Sequence, residues 1–215
     1  MQSEELQLAD YTAFMIIGNP GCGKSTLATL WLNTLKKTRI YALDSSAYGF
    51  MNLMDNECVI DLAQVDLAEF INEIQEELSR RRTELVEAKR AKRDTAEVCS
   101  NWQQIVIAFD KFSEVTDDME YDDLCEFLVR VTKQEYGMKV MVLALDTADG
   151  FSGNYASVCK AVQNAQTGLL LGSLKEHDTR VFNVNLPYGS PEKEIVFGDG
   201  YIVKKNKYTG LRVAF

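Results

Sequence analysis

The sequence predicts an α/β fold in which helices flank a mainly parallel central sheet that has an antiparallel C-terminal edge. Short apolar runs alternate with amphipathic helical patterns up to residue 171, which is typical of such a sheet. A glycine-rich loop joins the first apolar run to a helix. From residue 181 onward, short extended pieces separated by glycine turns predict hairpins at the sheet edge. We expect the 215 residues to form a single domain, residues 1–215.

The apolar runs place the strands and the periodic patterns place the helices. We predict strands at residues 13–17, 40–43, 105–109, 139–145 and 168–171, with a weaker one at 58–61. Helices are predicted after Gly23, from Leu67 through a charged run towards Val98, and around residues 124–131 and 158–162. Extended pieces at the end are predicted at 181–185, 195–197, 201–203 and 211–215, with turns at 187–189, 198–200 and 208–210.

The charge balance argues against nucleic acid as a partner. The chain has a formal net charge of -9, whereas a phosphate-binding surface needs clustered lysines and arginines. The basic residues between Arg80 and Arg93 are interspersed with glutamates, which favours a solvated, charge-laced helix over a basic stripe.

The five cysteines contain no CxxC pair, and His177 is the only histidine. This pattern favours reduced thiols in the cytosol over a zinc site or a disulfide framework. No apolar run approaches the roughly 18 residues of a membrane helix.

The loop after the first predicted strand satisfies the pattern GxxxxGK[ST] and precedes an amphipathic helix, which is the context that this phosphate-binding loop, or P-loop, requires. Its backbone N–H groups can surround a β-phosphate, Lys24 can reach the β- and γ-phosphates, and Ser25 can coordinate Mg²⁺. The sequence therefore predicts a site for ATP and Mg²⁺ formed by Gly18, Asn19, Pro20, Gly21, Cys22, Gly23, Lys24, Ser25 and Thr26.

The predicted strand at 105–109 ends in Asp110, as in a Walker B strand that delivers one carboxylate to the magnesium shell. We therefore predict Ser25 and Asp110 as the metal ligands. Many P-loop ATPases place a water-orienting glutamate at the next position, but this chain has Lys111, which puts hydrolysis in question. Glu114 is the candidate substitute, and the alternative is a solvated loop glutamate.

Several other polar residues have two interpretations. Asp146 and Thr147, at the end of the strand predicted at 139–145, either sense the γ-phosphate or serve to cap a helix or form a turn. Three basic residues late in the chain are candidates for a charge-stabilising finger supplied to a neighbouring copy, and nothing singles one out: Lys175, Arg180 and Arg212.

The order of these elements resembles the FtsK/SpoIIIE family of P-loop motors, most closely the C-terminal ATPase domains of its EssC-type members in bacterial type VII secretion. The resemblance covers nearly the whole chain. It rests on a strand ending in Asp44, a long helix with consecutive arginines and a glycine-turn tail, and it is carried by MIIGNPGCGKST, RIYALDSSAYGFMNL, FINEIQEELSRRRTEL, IVIAFDKFSEV, EYGMKVMVLALDTADG and FGDGYIVKKNKYTGLRVAF.

The resemblance implies a longer natural polypeptide in which this piece is the last of several tandem ATPase domains, with membrane-spanning and forkhead-like parts upstream. It implies a hexameric ring, contact with the other ATPase domains, small helical secreted proteins as substrates, and a place at the cytoplasmic face of the cell membrane. The resulting hypothesis is an ATP-binding domain of a type VII secretion motor that contributes to substrate recognition and export, with weak or absent hydrolysis.

Three alternatives stay open at this point. The domain can be an actively hydrolysing export motor if another residue replaces the missing glutamate. A DNA translocase of the same family would need basic residues lining its ring, which the net charge of -9 disfavours. A small-molecule kinase would share the P-loop, but it usually carries several arginines on a lid, whereas here they fall on a long helix.

Overall fold

The computed structural model of the chain describes residues 11–35, 37–44, 49–54, 59–133, 138–152, 156–172, 181–182, 199–205 and 207–212. The strands in these ranges are β1 (Ala13–Gly18), β2 (Thr38–Asp44), β3 (Val59–Asp61), β4 (Gln104–Asp110), β5 (Val140–Asp146), β6 (Thr167–Leu171), β7 (Asp199–Lys204) and β8 (Lys207–Arg212). The helices are α1 (Lys24–Thr34), α2 (Met51–Met54), α3 (Leu67–Arg90), α4 (Thr95–Ser100), α5 (Phe112–Asp117), α6 (Asp122–Thr132), α7 (Ala148–Ser152) and α8 (Ser157–Gln163).

The strands form one sheet in the order β3-β2-β4-β5-β1-β6-β7-β8. The pairs from β3 to β6 in this order are parallel. Strand β7 pairs antiparallel with both β6 and β8. The predicted fold class, a mainly parallel sheet with an antiparallel C-terminal edge, is confirmed. Strand β5 lies between β1 and β4, so the strand that leads into the P-loop and the strand that ends in Asp110 are not direct neighbours.

The central strands are buried on both faces because helices cover the sheet on each side. Side chains alternate along a strand, so Met15 and Ile17 of β1 join one core while Phe14 and Ile16 join the other. The first core contains the buried faces of α3, α5, α6 and α8, and the second contains those of α1 and α2. This two-sided burial explains why these strands have continuous apolar runs in the sequence.

The six strands predicted up to residue 171 are confirmed, with ends that differ by one or two residues. The continuous helix expected from Leu67 towards Val98 is wrong. Helix α3 ends at Arg90, because Lys92 takes a left-handed conformation with φ 53° and the N–H of Arg93 bonds the carbonyl of Ala88 at 2.9 Å. Helix α4 then begins anew, capped by the Asp94 carboxylate.

The charged helix α3 is only partly solvated. Arg80 is exposed and pairs with Glu77 and Glu84, as the interpretation of a charge-laced helix predicts. Arg81, however, is 1% exposed. Its guanidinium bonds the carbonyl oxygens of Met138, Lys139 and Gln103 at the amino ends of β4 and β5, and stacks over the Trp102 ring at 5.4 Å. The arginine therefore joins α3 to the amino end of the sheet.

The turns expected at residues 198–200 and 208–210 are wrong where the structure describes them. Asp199 and Gly200 belong to β7, and residues 208–210 lie inside β8. The chain reverses between Lys204 and Lys207, which pair directly, with Lys205 at φ 40°. Val181 and Phe182 form a buried turn rather than a strand. The pieces predicted at 183–185 and 195–197 and the turn at 187–189 lie outside the described residues.

The described part of the chain contains no helix that is both long and apolar enough to cross a membrane. Among the described residues, Cys22, Cys99, Cys125 and Cys159 are free thiols. Burial raises the pKa of the Cys159 thiol to about 11, so this cysteine is protonated at neutral pH.

We expect replacement of Arg81 to destabilise the chain far more than replacement of its neighbour Arg80. Arg81→Met keeps an apolar side chain but leaves carbonyl oxygens without their donor, so the free energy of unfolding should fall by about 3 kcal/mol. Arg80→Met removes only exposed ion pairs and should cost less than about 1 kcal/mol. Urea unfolding of both variants measures the difference, and equal losses would show that Arg81 does not join α3 to the sheet.

Candidate nucleotide and magnesium site

The phosphate loop connects β1 to α1, which begins at Lys24. Gly21 and Gly23 have φ values of 78° and 90°, a left-handed region in which residues with a side chain are strained. Gly23 occupies the N-cap of α1 and no side chain caps this end within the described chain. The first N–H groups of the helix and its dipole therefore make this end positive and available to an anion.

Lys24 lies across the loop that precedes it. Its Nζ donates to the carbonyl oxygens of Gly18 at 2.9 Å and Asn19 at 3.2 Å. The N–H of Cys22 also bonds the carbonyl of Asn19, at 3.2 Å, which closes the turn around Pro20. Two carbonyl oxygens thus hold the ammonium group beside the loop, and phosphate oxygens are hydrogen-bond acceptors as well.

Ser25, in the first turn of α1, contacts the carboxylate at the end of β4. Its hydroxyl lies 3.1 and 3.2 Å from the two carboxylate oxygens of Asp110. The two residues are 85 positions apart in the chain, and β5 separates their strands in the sheet. A hydroxyl and a carboxylate oxygen are both ligands that Mg²⁺ accepts, so the predicted metal-binding pair is brought together.

Asp110 is buried, with 5% of the residue exposed. Burial raises its pKa, the nearby Asp44 raises it further, and Ser25 and Lys24 act in the opposite direction. Gly49 lies so close that an added Cβ would come within 1.6 Å of one Asp110 carboxylate oxygen. This carboxylate is therefore confined in a place where its charged form needs a cation or donors.

Asp44 and Asp146 end the strands on either side of β4. The carboxylate of Asp44 accepts the N–H of Phe50 at 2.7 Å. Asp146 accepts the N–H of Ser113, in the first turn of α5, at 2.7 Å, and that of Thr147 at 2.6 Å. The Thr147 hydroxyl accepts the N–H of Gly150 at 3.0 Å, so the capping interpretation of this pair is supported by the contacts.

Lys111 and Glu114 form an ion pair beside the site. The Lys111 backbone is left-handed, with φ 53°, at the start of α5, and its Nζ lies 2.9 Å from a carboxylate oxygen of Glu114. Both side chains are about half exposed, at 49% and 51%. Glu114 therefore lies on the first turn of a helix and not in a loop, and its carboxylate is engaged by Lys111.

The structure thus gathers Lys24, Ser25 and Asp110 around the loop. Asn19, Pro20 and Thr26 are exposed at the same place. Lys175, His177 and Arg180 lie outside the described residues, and Arg212 lies in β8 at the far edge of the sheet. The sequence analysis missed Gly49 and Ser113. Their roles depend on contacts with strands far along the chain, and no local motif marks them.

A cavity lies away from the phosphate loop. It measures about 990 Å³ and is bordered by α3, α4 and the amino end of β4. Both arginines and glutamates line its wall, and the Trp102 Nε1 donates to Glu84 at 2.6 Å. Its charges largely satisfy one another, so the nucleotide site is defined by the loop geometry and not by cavity size.

The fold and the loop define a domain of the P-loop NTPase fold, with the phosphate loop after β1 and a buried aspartate at the end of β4. The chain matches no model of a known protein family and no curated protein. Among solved structures, it is similar to the cytoplasmic domain of EssC, with 18% sequence identity and a TM-score of 0.80, over 97% of this chain and 40% of that one.

Two further structures are similar. EssC ATPases 2 and 3 from Geobacillus thermodenitrificans give a TM-score of 0.77 at 18% identity, over 97% of this chain and 38% of that one. Thermomonospora curvata EccC ATPases 2 and 3, in complex with a signal sequence peptide, give 0.68 at 18% identity, over 98% and 38%. The chain spans about two fifths of these proteins, and the resemblance inferred from the sequence is confirmed at the level of the fold.

We predict that Asp110→Asn stabilises the nucleotide-free chain while it weakens Mg²⁺-dependent nucleotide binding. The raised pKa of Asp110 means that folding disfavours the charged form of this carboxyl group. Asparagine has the same shape and no charge, so at pH values above that pKa it removes this free-energy cost of folding. The melting temperature at neutral pH should rise by a few degrees, on the order of 1 kcal/mol.

Lowering the pH should remove the difference between parent and Asp110→Asn, because Asp110 then becomes protonated in the parent as well. Differential scanning calorimetry across pH tests this expectation. A variant that is less stable than the parent at neutral pH would show that the Asp110 charge is compensated in the absence of metal.

Proposed function

We propose that this domain binds Mg-ATP at the loop of residues 18–26 and turns it over slowly. The contact between the Ser25 hydroxyl and the Asp110 carboxylate beside the Lys24 ammonium carries this proposal. Three groups from distant parts of the chain converge there with the chemistry that a magnesium-bound triphosphate needs. A glycine turn without a ligand would not require a buried carboxylate opposite Ser25.

In the proposed complex the phosphates lie on the N–H groups of residues 21–25 and at the amino end of α1. Lys24 exchanges the carbonyl oxygens of Gly18 and Asn19 for phosphate oxygens. Ser25 and Asp110 hold Mg²⁺, whose charge offsets the cost of burying the Asp110 carboxylate. The metal would supply charge neutralisation of the β- and γ-phosphates.

Slow hydrolysis follows from the residues beside Asp110. A water that attacks the γ-phosphate needs a group to orient it, and Lys111 occupies the position where a glutamate usually does this. Glu114 is one helical turn further and is paired with Lys111. Asp146 is committed to the N–H groups of Ser113 and Thr147. Neither carboxylate is oriented towards a water by these contacts.

The similarity to EssC and EccC domains supports a role in a type VII secretion motor. We infer that the chain acts as one ATPase domain of a longer protein at the cytoplasmic face of the membrane, next to other ATPase domains, and contributes to recognition and export of small helical proteins. The net charge of -9 supports a protein cargo over DNA.

Calorimetric titration with Mg-ATP of the chain and of Lys24→Ala tests nucleotide binding. Loss of the Lys24 ammonium should weaken binding at least about 100-fold, because its contacts are made to charged phosphate oxygens. Lys89→Ala, at the exposed end of α3, is the matched control and should bind as the parent does. Equal affinity for parent and Lys24→Ala would reject the loop as the binding site.

Phosphate release by Lys111→Glu tests why turnover is slow. A carboxylate at this position should raise the rate at least about tenfold over the parent, since a positioned general base contributes about 10²–10⁴-fold. Lys111→Gln breaks the ion pair with Glu114 but adds no carboxylate. One result would contradict this explanation: Lys111→Gln by itself raises the rate of phosphate release, and adding Glu114→Gln abolishes that increase. Glu114 would then orient the water, and the domain would be better described as an active motor.

A further inference from the structure

The Asp110 carboxylate is in close contact with Gly49 as well as with Ser25. A Cβ added at Gly49 would lie 1.6 Å from one carboxylate oxygen of Asp110, 2.6 Å from its Cγ and 3.1 Å from its Cβ. These distances are far shorter than van der Waals contact, so a residue with a side chain would displace the carboxylate or the segment that carries Gly49. The same carboxylate lies 3.1 and 3.2 Å from the Ser25 hydroxyl. Its position therefore depends on both neighbours.

Asp44 holds the segment that contains Gly49. It is the direct partner of Asp110 in the parallel pair of β2 and β4, so the two aspartates lie side by side at the strand ends. The Asp44 carboxylate accepts the N–H of Phe50, the residue that follows Gly49, at 2.7 Å. A hydrogen bond to a charged acceptor is stronger than one between neutral groups. An acceptor on β2 thus holds the backbone that lies against the carboxylate of β4.

Apolar packing fixes the same segment relative to α1. Phe50 and Leu53 are fully buried and belong to the core that contains Ala28 and Leu32 of α1. The N–H of Leu53 bonds the carbonyl of Phe50 at 2.8 Å, which closes the turn into α2. Helix α1 also carries Ser25. One core therefore sets the positions of both neighbours of the carboxylate.

We propose that Asp44 and Gly49 are positioning residues for Asp110. Asp44 acts through the N–H of Phe50, and Gly49 leaves the space in which the Asp110 carboxylate faces Ser25. Neither residue contacts the nucleotide. This inference rests on the proposed function, because it concerns the Mg²⁺ that Ser25 and Asp110 would hold. It predicts that the two residues affect the metal and leave the binding of phosphate by the loop intact.

ATP titrations in Mg²⁺ and in EDTA test the role of Gly49. We define the magnesium enhancement as the ratio of the dissociation constant for ATP in EDTA to that in Mg²⁺. Gly49→Ala should reduce this ratio at least about tenfold, since the displaced carboxylate no longer holds the metal with Ser25. The affinity in EDTA should stay within about twofold of the parent, whereas a general loss of structure would weaken binding in both solutions.

Gly210→Ala is the matched control for Gly49→Ala. A Cβ added at Gly210, in β8, would meet no atom within 4 Å. This variant should keep the magnesium enhancement of the parent. An enhancement in Gly49→Ala that equals that of Gly210→Ala would overturn the role of Gly49.

Two substitutions of Asp44 separate positioning from direct metal binding. Asp44→Ala removes the acceptor of the Phe50 N–H and should reduce the magnesium enhancement at least about tenfold. Asp44→Asn retains an oxygen acceptor and should stay within about threefold of the parent. An equal loss in both variants would mean that the Asp44 charge itself acts on the metal, and no loss in either would mean that the Phe50 contact is dispensable. Both results would overturn the role of Asp44.

A melting experiment without nucleotide distinguishes a failure of this inference from a failure of the proposed function. Ser25→Ala removes the hydroxyl that contacts Asp110 and should lower the melting temperature of the parent by about 3 °C. In the Gly49→Ala chain the same substitution should lower it by less than about 1 °C, because the contact is already lost. Equal shifts in the two chains would overturn the inference even if the parent binds Mg-ATP. Unequal shifts in a parent that binds no Mg-ATP would support the positioning and reject the proposed function.

Discussion

The burial of carboxylates at one end of the sheet is the constraint on which the site depends. Strands β2, β4 and β5 are neighbours, and each ends in an aspartate. Asp110 and Asp146 are buried and Asp44 is partly buried, and carboxylates in such places are costly unless each has a donor. Backbone N–H groups of Phe50 and Ser113 serve the outer two, whereas Asp110 bonds a hydroxyl beside Lys24. The central carboxylate is the one that contacts Ser25, the other predicted metal ligand.

The same constraint explains which parts were predictable. The phosphate loop and the six strands up to residue 171 depend on local sequence, namely glycines at fixed spacing and continuous apolar runs that a two-sided sheet requires. The pairing of Ser25 with Asp110 could be inferred only because the loop motif and a strand ending in aspartate are known to meet. Gly49 and Ser113 meet Asp110 and Asp146 through long-range contacts, which no local pattern encodes.

The errors have a common physical origin, because tertiary contacts override local patterns. A charged run predicted a longer α3, but Lys92 ends the helix and Asp94 starts another. An arginine in a solvated pattern was expected at the surface, whereas Arg81 supplies donors to carbonyl groups at the amino ends of β4 and β5. The segment 208–210, which ends in glycine, was predicted as a turn, yet Gly210 lies opposite Tyr201 within the β7–β8 pair. Cross-strand pairing decides such a position.

The two ends of the sheet carry different charged residues. The carboxyl ends collect Asp44, Asp110 and Asp146 together with the P-loop, while a cavity of about 580 Å³ at the amino ends of β1 and β6 is lined in part by Lys204, Lys205 and Lys207. In the proposed complex, the phosphates add negative charge to the end of the sheet that already holds three aspartates, so both Lys24 and a bound Mg²⁺ would be needed to balance that charge.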